Sequence, residues 1–232
     1  MTKKQFFTLA GIFILGCALM LTASLAKKHR SVVEWDGTSY NIENVNPLDA
    51  KLARPYNQTF DKIGDVFVGI IGLIAVTAIA VSFFTSKEKS KAFKTAIYDF
   101  FNLGVSGLYA NSIYRILKTA AGRIRPYMYF DNPSQKGIEE ADFFRSWPSG
   151  HTANVFLIFG FLLSWFAVRY ADSKLKKPVL TVTLLLCITT MIFRMLSGNH
   201  FLTDVLSGAA FGFTVSYGVS VLCYKIYGKE IN

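Results

Sequence analysis

The sequence SWPSGHTANVFLIFGFLLSWFAVR, residues 146–169, joins a short polar motif directly to an apolar run. A membrane-spanning helix needs about 20 mostly apolar residues, and residues 150–169 have that length. The motif Pro148-Ser149-Gly150-His151 suits a helix start, because proline is tolerated in the first helical turn. The stretch therefore predicts a membrane helix that begins in a polar motif.

Five further segments have a similar apolar character, at about 64–84, 95–117, 178–195, 202–224 and, near the N-terminus, 5–26. The segment at 95–117 is the most polar, since it carries Asp99, Asn102, Asn111 and Arg115. Polar residues inside a span indicate a face that looks into a helix bundle. The prediction is an all-α fold, with residues 1–232 forming one domain built as a bundle of six transmembrane helices.

The composition supports an integral membrane protein. Hydrophobic residues make up 52% of the 232 residues and aromatic residues 15%, which is too apolar for an ordinary soluble domain. The formal net charge is +10, but many of the cations stand in short loops beside apolar segments, where membrane topology explains them. No nucleic-acid partner is expected. The three cysteines lie in apolar stretches, so neither a disulfide framework nor a zinc site is expected.

Loop charge predicts the orientation of the bundle. With six spans both termini share one side, and the loops on that side are short and basic. Their cations are Lys3, Lys4, Lys87, Lys89, Lys91, Lys94, Arg169, Lys174, Lys176, Lys177, Lys225 and Lys229. The positive-inside rule then places both termini in the cytoplasm, with the loops at 27–63 and 118–149 and the turn at 196–201 outside. The compactness of the chain suggests a bacterium, whose inner membrane would hold the bundle.

A competing interpretation concerns the N-terminus. Lys3-Lys4, an apolar run and Ile14-Leu15-Gly16-Cys17 faintly resemble a bacterial lipoprotein signal. Lipidation of Cys17 would remove the first helix and place the N-terminus outside. Apolar sequence continues past Cys17 to Ala26, which favours an uncleaved span.

Three polar clusters fall at segment ends that this topology places outside. Lys118 and Arg125 follow the third span, and a guanidinium can hold two phosphate oxygens while lysine adds a point charge. Alone, the pair also suits a basic flank near lipid headgroups. In the second cluster, Ser149 offers a hydroxyl, Gly150 a free helix-start amide, and His151 a proton for a leaving oxygen. Alone, this motif also suits a helix cap.

The third cluster lies at the turn between the last two spans. His200 and Asp204 are four residues apart, so on a helix they share one face. Asp204 could then hold the protonated ring nitrogen of His200 and leave the other nitrogen nucleophilic. Arg194 would be a third anion ligand, although an arginine–aspartate pair closing a turn is the simpler alternative. Together the clusters predict a site that holds a phosphate and attacks it without a metal ion.

The pattern Lys-x6-Arg-Pro, Pro-Ser-Gly-His and Arg-x5-His-x3-Asp resembles the type 2 phosphatidic acid phosphatase family, which is related to bacterial acid phosphatases and vanadium haloperoxidases. The motifs cover about residues 118–204. The resemblance implies a phosphohistidine on His200, oriented by Asp204, with His151 as the proton donor and then the base for water. It implies that phosphoryl oxygens are bound by Lys118, Arg125, Ser149, Gly150 and Arg194, with no cofactor. The family usually has a serine where this chain has Phe193.

The predicted function is a membrane lipid phosphatase acting on a phosphomonoester or diphosphate. Candidate substrates are phosphatidic acid, phosphatidylglycerol phosphate, undecaprenyl diphosphate and lipid A phosphates. A phosphotransferase using the same histidine is the alternative, and a non-enzymatic lipid-binding or transport protein is a third class. Gly208, Gly212 and Ser216 form a stripe of small residues, for which close helix packing is favoured over a homodimer contact. The loop at 127–147 is predicted to be a lid whose aromatic residues contact a lipid chain.

Overall fold

A computed structural model describes residues 2–30 and 34–227, so Lys229 lies outside the described residues. Within this part of the chain there are eight α-helices, two short 3-10 turns and no strand. The helices are α1 (Lys3–His29), α2 (Pro47–Leu52), α3 (Gln58–Thr85), α4 (Lys89–Ala121), α5 (Gln135–Glu139), α6 (Gly150–Arg169), α7 (Lys176–Leu196) and α8 (Leu202–Tyr227). The 3-10 turns are Ile42–Asn44 and Pro126–Tyr129. The all-α prediction is confirmed.

Six of these helices are long, and each contains one of the predicted apolar segments. Five of them, α1, α3, α6, α7 and α8, are long and apolar enough to cross a membrane. The remaining long helix, α4, has 33 residues but is more polar than the others. Its role as a sixth span stays a prediction.

The polar residues of α4 face the inside of the bundle. Asp99 is fully buried and accepts hydrogen bonds from Trp165 Nε1 at 2.9 Å and from the Tyr224 hydroxyl at 3.0 Å. Arg169 adds an ion pair at 3.2 Å, and Asn102 donates to the Ser220 carbonyl at 3.2 Å. A buried polar group without a hydrogen-bond partner costs roughly 2–7 kcal/mol. Because Asp99 and Asn102 have partners, α4 can carry polar residues and still lie in the middle of the bundle.

The small-residue stripe of α8 packs against α6 of the same chain. A Cβ atom added to Gly212 would lie 2.1 Å from the Ala153 carbonyl oxygen, so only glycine permits this approach. One turn later Ser216 donates to the Leu157 carbonyl at 2.8 Å. Close helix packing, the favoured prediction for this stripe, is therefore confirmed, and a homodimer would have to use another surface.

The connection from α4 to α6 folds into a small core of its own. Tyr127, Met128, Phe143 and Phe144 are buried and pack together. The expectation that the aromatic residues of this loop contact a lipid chain is therefore wrong for Tyr127, Phe143 and Phe144, because they are used to fold the connection. The loop nevertheless borders the predicted site, since Asp142 reaches Arg125 there.

Candidate active site

The three predicted clusters meet at one end of the bundle. A cavity of about 440 Å³ is lined by Lys118, Arg125, Gly150, His151 and His200, together with residues of α1 and α3. A neighbouring cavity of about 180 Å³ is lined by Arg125, His151 and Arg194. Ser149 and Asp204 lie fully buried behind these walls. All eight predicted site residues thus belong to one region, although they are far apart in sequence.

His200 lies in the loop before α8 and is 2% exposed. Its Nδ1 atom lies 3.7 Å from Asp204 Oδ2, which is within ion-pair range but too long for a hydrogen bond, and Nδ1 has no hydrogen-bond partner. The two residues do not share a helix face as expected, since α8 begins at Leu202. They are neighbours because the Asp204 side chain reaches back to the amide of Phe201, the residue that follows His200.

The carboxylate of Asp204 is held by three donors other than His200. The Phe201 amide donates to it at 2.8 Å, a contact that caps the start of α8. The Ser146 hydroxyl donates to it at 2.5 Å. Arg123 forms an ion pair with the other carboxylate oxygen at 2.5 Å. Asp204 is therefore fixed in place, and these contacts explain why it does not close on the imidazole.

Arg123 also pairs with Asp49 of α2, at 2.7 Å. Asp49 is fully buried and accepts hydrogen bonds from the Thr203 amide at 3.0 Å and the Thr203 hydroxyl at 2.5 Å. Burial alone would raise the pKa of Asp49, but its bonds to Thr203, Arg123 and Asn46 outweigh burial and lower it. Sequence reasoning missed Asp49, whose only signal was an acidic residue after Asn46-Pro47 in a helix-start pattern.

Burial and neighbouring cations control the charge of His200. Burial lowers the pKa of His200 well below its ordinary value, and Lys118, Arg125 and Arg194 lower it further. The ring is therefore neutral near pH 7. A neutral imidazole carries the unprotonated nitrogen that a nucleophile requires.

The three predicted anion ligands are buried cations. Lys118 donates to the Arg145 carbonyl at 2.7 Å, and Arg125 donates to Asn199 Oδ1 at 2.5 Å and pairs with Asp142. A buried charge is costly unless it is paired, and these contacts meet part of that cost.

Arg194 pairs with Asp61 of α3 at 2.5 Å, and its buried Nε atom has no hydrogen-bond partner. Arg194 also lines the smaller cavity, so an oxyanion that reached Nε would complete its hydrogen bonding.

His151 has an acidic partner that sequence reasoning missed. Its Nε2 atom lies 2.6 Å from Asp65 Oδ1, and Asp65 stands one turn after Asp61 on α3. The signal was available in the sequence as two acidic residues four apart at the start of an apolar segment. Nothing in the sequence showed that they would face the second and third clusters.

Ser149 and Gly150 form the start of α6. Ser149 is the N-cap residue, and its hydroxyl oxygen accepts from the Thr152 amide at 3.4 Å. Its own amide donates to the Asp204 carbonyl at 2.9 Å, which joins the second cluster to the third. A Cβ atom on Gly150 would lie 3.1 Å from the Tyr114 ring, so the glycine lets this ring pack closely against the start of α6. In the described part of the chain, no three His, Cys, Asp or Glu side chains converge as a metal site.

The chain is similar to proteins of a known family. The family model of the PAP2 superfamily matches residues 99–230, which include all eight predicted site residues. A lipid A 1-phosphatase of Rhizobium johnstonii is 31% identical over 134 residues, covering 55% of this chain and 49% of that protein. The chain thus spans about half the length of this curated relative.

A crystal structure of a transmembrane PAP2 type phosphatidylglycerolphosphate phosphatase from Bacillus subtilis is also similar. It is 20% identical, with 96% of each chain covered and a TM-score of 0.47. The family match spans more than half of the 232 residues and contains all three motifs. The chain therefore belongs to the PAP2 superfamily.

Proposed function

We propose that this protein is a membrane phosphatase that removes a phosphate group from a lipid through a phosphohistidine on His200. The observation that carries the proposal is a neutral, buried histidine in a cavity walled by buried cations. Membership of the PAP2 superfamily supports it, as does the name of the lipid A 1-phosphatase relative.

In the first step the unprotonated nitrogen of His200 attacks phosphorus. A nitrogen–phosphorus bond forms while the bond from phosphorus to the lipid oxygen breaks. Asp204 Oδ2 is fixed 3.7 Å from Nδ1, so a movement of the imidazole ring by about 1 Å would make a hydrogen bond that stabilises the ring as it becomes positive. Attack then comes from Nε2.

The cations stabilise the charge that develops on the phosphoryl oxygens. Arg125 and Lys118 line the same cavity as His200, and Arg194 offers its free Nε from the adjoining wall. The amide of Gly150, at the start of α6, adds a donor at the positive end of a helix dipole. Fixed donors of this kind supply the electrostatic part of catalysis.

His151 moves the proton in both steps. It gives a proton to the departing lipid oxygen, and in the second step it takes one from the water that attacks the phosphohistidine. Breaking the nitrogen–phosphorus bond then releases phosphate and restores His200. The contact with Asp65 at 2.6 Å orients the His151 ring for this exchange.

The walls of the cavity favour a lipid as the substrate. Ala23 and Lys27 of α1 and Val68 of α3 line it, and both helices are candidate membrane spans. A phosphate held among the cations would leave the rest of its molecule beside these two helices. A lipid whose chains stay in the bilayer fits this arrangement better than a water-soluble ester.

The proposed topology has six spans, with both termini cytoplasmic and the active site facing outward. A helix of 33 residues is about 50 Å long, so α4 is long enough to cross. The basic residues Lys87, Lys91, Lys174 and Lys177 lie at the end of the bundle away from the site, which supports a cytoplasmic position for that end.

Phosphate release by the purified full-length protein in detergent with EDTA tests the proposal. The substrates are phosphatidic acid, phosphatidylglycerol phosphate, undecaprenyl diphosphate and lipid A. Release from one of them that is lost in His200→Ala supports a metal-independent phosphatase.

Loss of all activity in EDTA, or near-native activity in His200→Ala, would contradict the mechanism. Lipid dephosphorylation without free phosphate would indicate transfer to an acceptor instead of water.

A further inference from the structure

A second cavity with basic walls lies at the end of the bundle opposite the active site. It has a volume of about 380 Å³ and lies between the end of α3, the start of α4 and the end of α6. Its charged wall residues are Lys87, Lys91, Arg169 and one acid, Glu88. Arg169 is paired with Asp99, so it is the two lysines against Glu88 that leave the cavity with a net positive charge.

Arg169 provides the observation that points to a ligand. Its side chain is only 4% exposed, and its Nε and Nη2 atoms bind Asp99 at 3.3 and 3.2 Å. Its Nη1 atom is buried and has no hydrogen-bond partner. An unpaired buried donor of a charged group is costly, and Arg169 lines this cavity, so a ligand oxygen that reached Nη1 would be stabilised by it.

The start of α4 adds further donors. Glu88 is its N-cap residue but makes no side-chain capping bond, and the first turn contains no acidic residue. The first amides of a 33-residue helix therefore stay open at the wall that carries Lys91. Such amides, with the positive end of the helix dipole, favour an anion.

An apolar cavity of about 630 Å³ continues from this basic cavity along the outside of the bundle. Ser82 and Tyr170 line both cavities. The apolar cavity runs beside α3 and is walled by residues such as Leu73, Ile74, Phe166 and Val179. A ligand that occupied both would have a negatively charged head and an apolar chain.

We propose that these two cavities together bind an anionic phospholipid as a bound partner of the protein. Its phosphate would lie among Lys87, Lys91 and Arg169, and one acyl chain would lie in the apolar cavity. Basic pockets between membrane helices suit anionic headgroups in this way. The site is separate from the proposed active site and does not depend on the proposed phosphatase reaction.

Native mass spectrometry of the purified full-length protein, titrated with lipid in detergent, tests the proposal. The lipids are phosphatidylglycerol and, with the same acyl chains, zwitterionic phosphatidylcholine, and a third titration uses inorganic phosphate. The test variant is Lys87→Gln with Lys91→Gln, because both lysines are exposed and carry no buried partner. The control is Lys174→Gln with Lys177→Gln, which removes the same charge at the same end without touching either cavity.

We expect the test variant to bind phosphatidylglycerol about 25-fold more weakly, because each of the two lysines contributes about fivefold. The control variant should bind like the wild type, and phosphatidylcholine should bind weakly to all three. Thr77→Trp, which adds bulk to the apolar cavity, should weaken phosphatidylglycerol binding as well. Because the active site is intact in every variant, lipid bound there cancels in these comparisons.

Equal affinity in the wild type and the test variant would overturn the proposal. Equal weakening in both double variants would also overturn it, since that result shows only attraction to a basic surface. Inorganic phosphate that binds as tightly as phosphatidylglycerol, or a Thr77→Trp variant with unchanged lipid affinity, would overturn the assignment to a lipid.

Discussion

Asp49→Asn tests the chain of contacts that holds the carboxylate of Asp204. Asp49 Oδ2 accepts from Asn46 at 2.6 Å, from Arg123 at 2.7 Å and from the Thr203 hydroxyl at 2.5 Å, while Oδ1 accepts from the Thr203 amide at 3.0 Å. Every group that contacts this carboxylate donates a hydrogen bond to it. The NH2 group of asparagine, which is also a donor, must therefore face at least one of these donors. The less costly orientation places it against the Thr203 amide and keeps the other three bonds.

That orientation loses one hydrogen bond and leaves a buried donor unpaired, at about 1–3 kcal/mol. The bond to Arg123 also loses its carboxylate charge, and Arg123 is 26% exposed, so water replaces part of the loss. We expect the free energy of unfolding to fall by about 2–3 kcal/mol. For a chain of this size Tm would fall by about 5–10 °C.

Thermal unfolding of the purified protein in detergent measures this change, with Asp131→Asn as the control. Asp131 is exposed, and the variant removes the same charge from the same end of the bundle. The pKa of Asp49 is lowered in the folded protein. The contribution of Asp49 to the stability of the folded protein is therefore complete above its ordinary pKa of 3.8. That contribution is lost as the pH falls through the lower pKa that Asp49 has in the folded protein.

The difference in Tm between the wild type and Asp49→Asn should accordingly shrink below about pH 4. An Asp49→Asn protein that unfolds at the same temperature as Asp131→Asn at pH 7 would refute the argument. It would mean that Arg123 and Thr203 are held by the packing around them and do not need the carboxylate.

Three further predictions concern other contacts. Asp65→Asn should lower kcat for phosphate release about tenfold with little change in KM, because a charge-assisted bond of roughly 1.5–3 kcal/mol orients His151; an unchanged kcat would contradict that role. Gly212→Ala should lower Tm strongly, since its Cβ would lie 2.1 Å from a backbone oxygen of α6, whereas Gly218→Ala on the same helix has nothing within 4 Å and should not. Below pH 6.5 the unfolded chain binds a proton on His200 that the folded protein does not, because the folded pKa is lowered. Tm should therefore fall as pH decreases from 6.5, and a His200→Gln variant with the same slope would contradict this assignment.

Much of the fold followed from the sequence because apolar length is a strong signal. Each predicted segment lies within one long helix, and the motif residues share one end because they stand at the matching ends of consecutive helices. The polar segment at 95–117 was also interpreted correctly as a helix with an inward face, since Asp99 and Asn102 are buried and paired.

The contacts between distant elements could not be predicted. Asp49 lies on a helix of six residues in a long loop, and only the folded structure brings it to Arg123. The same holds for Asp65 and His151, which are 86 residues apart in sequence. Hydropathy and spacing describe each segment by itself, whereas these pairs depend on which helices become neighbours and at what height along the bundle.

Phe193, the one departure from the usual motif, is explained by such a pairing. Its ring stacks on Phe60 at 5.8 Å between centroids and contacts Phe67 at 5.6 Å, both on α3. Its neighbour Arg194 pairs with Asp61, the neighbour of Phe60. Two adjacent residues of α3 therefore contact two adjacent residues of α7, one pair through an aromatic contact and the other through an ion pair. Where a serine would offer one hydrogen bond, this chain fixes the start of α3 against α7 and so positions Asp61 beside Arg194 and Asp65 beside His151.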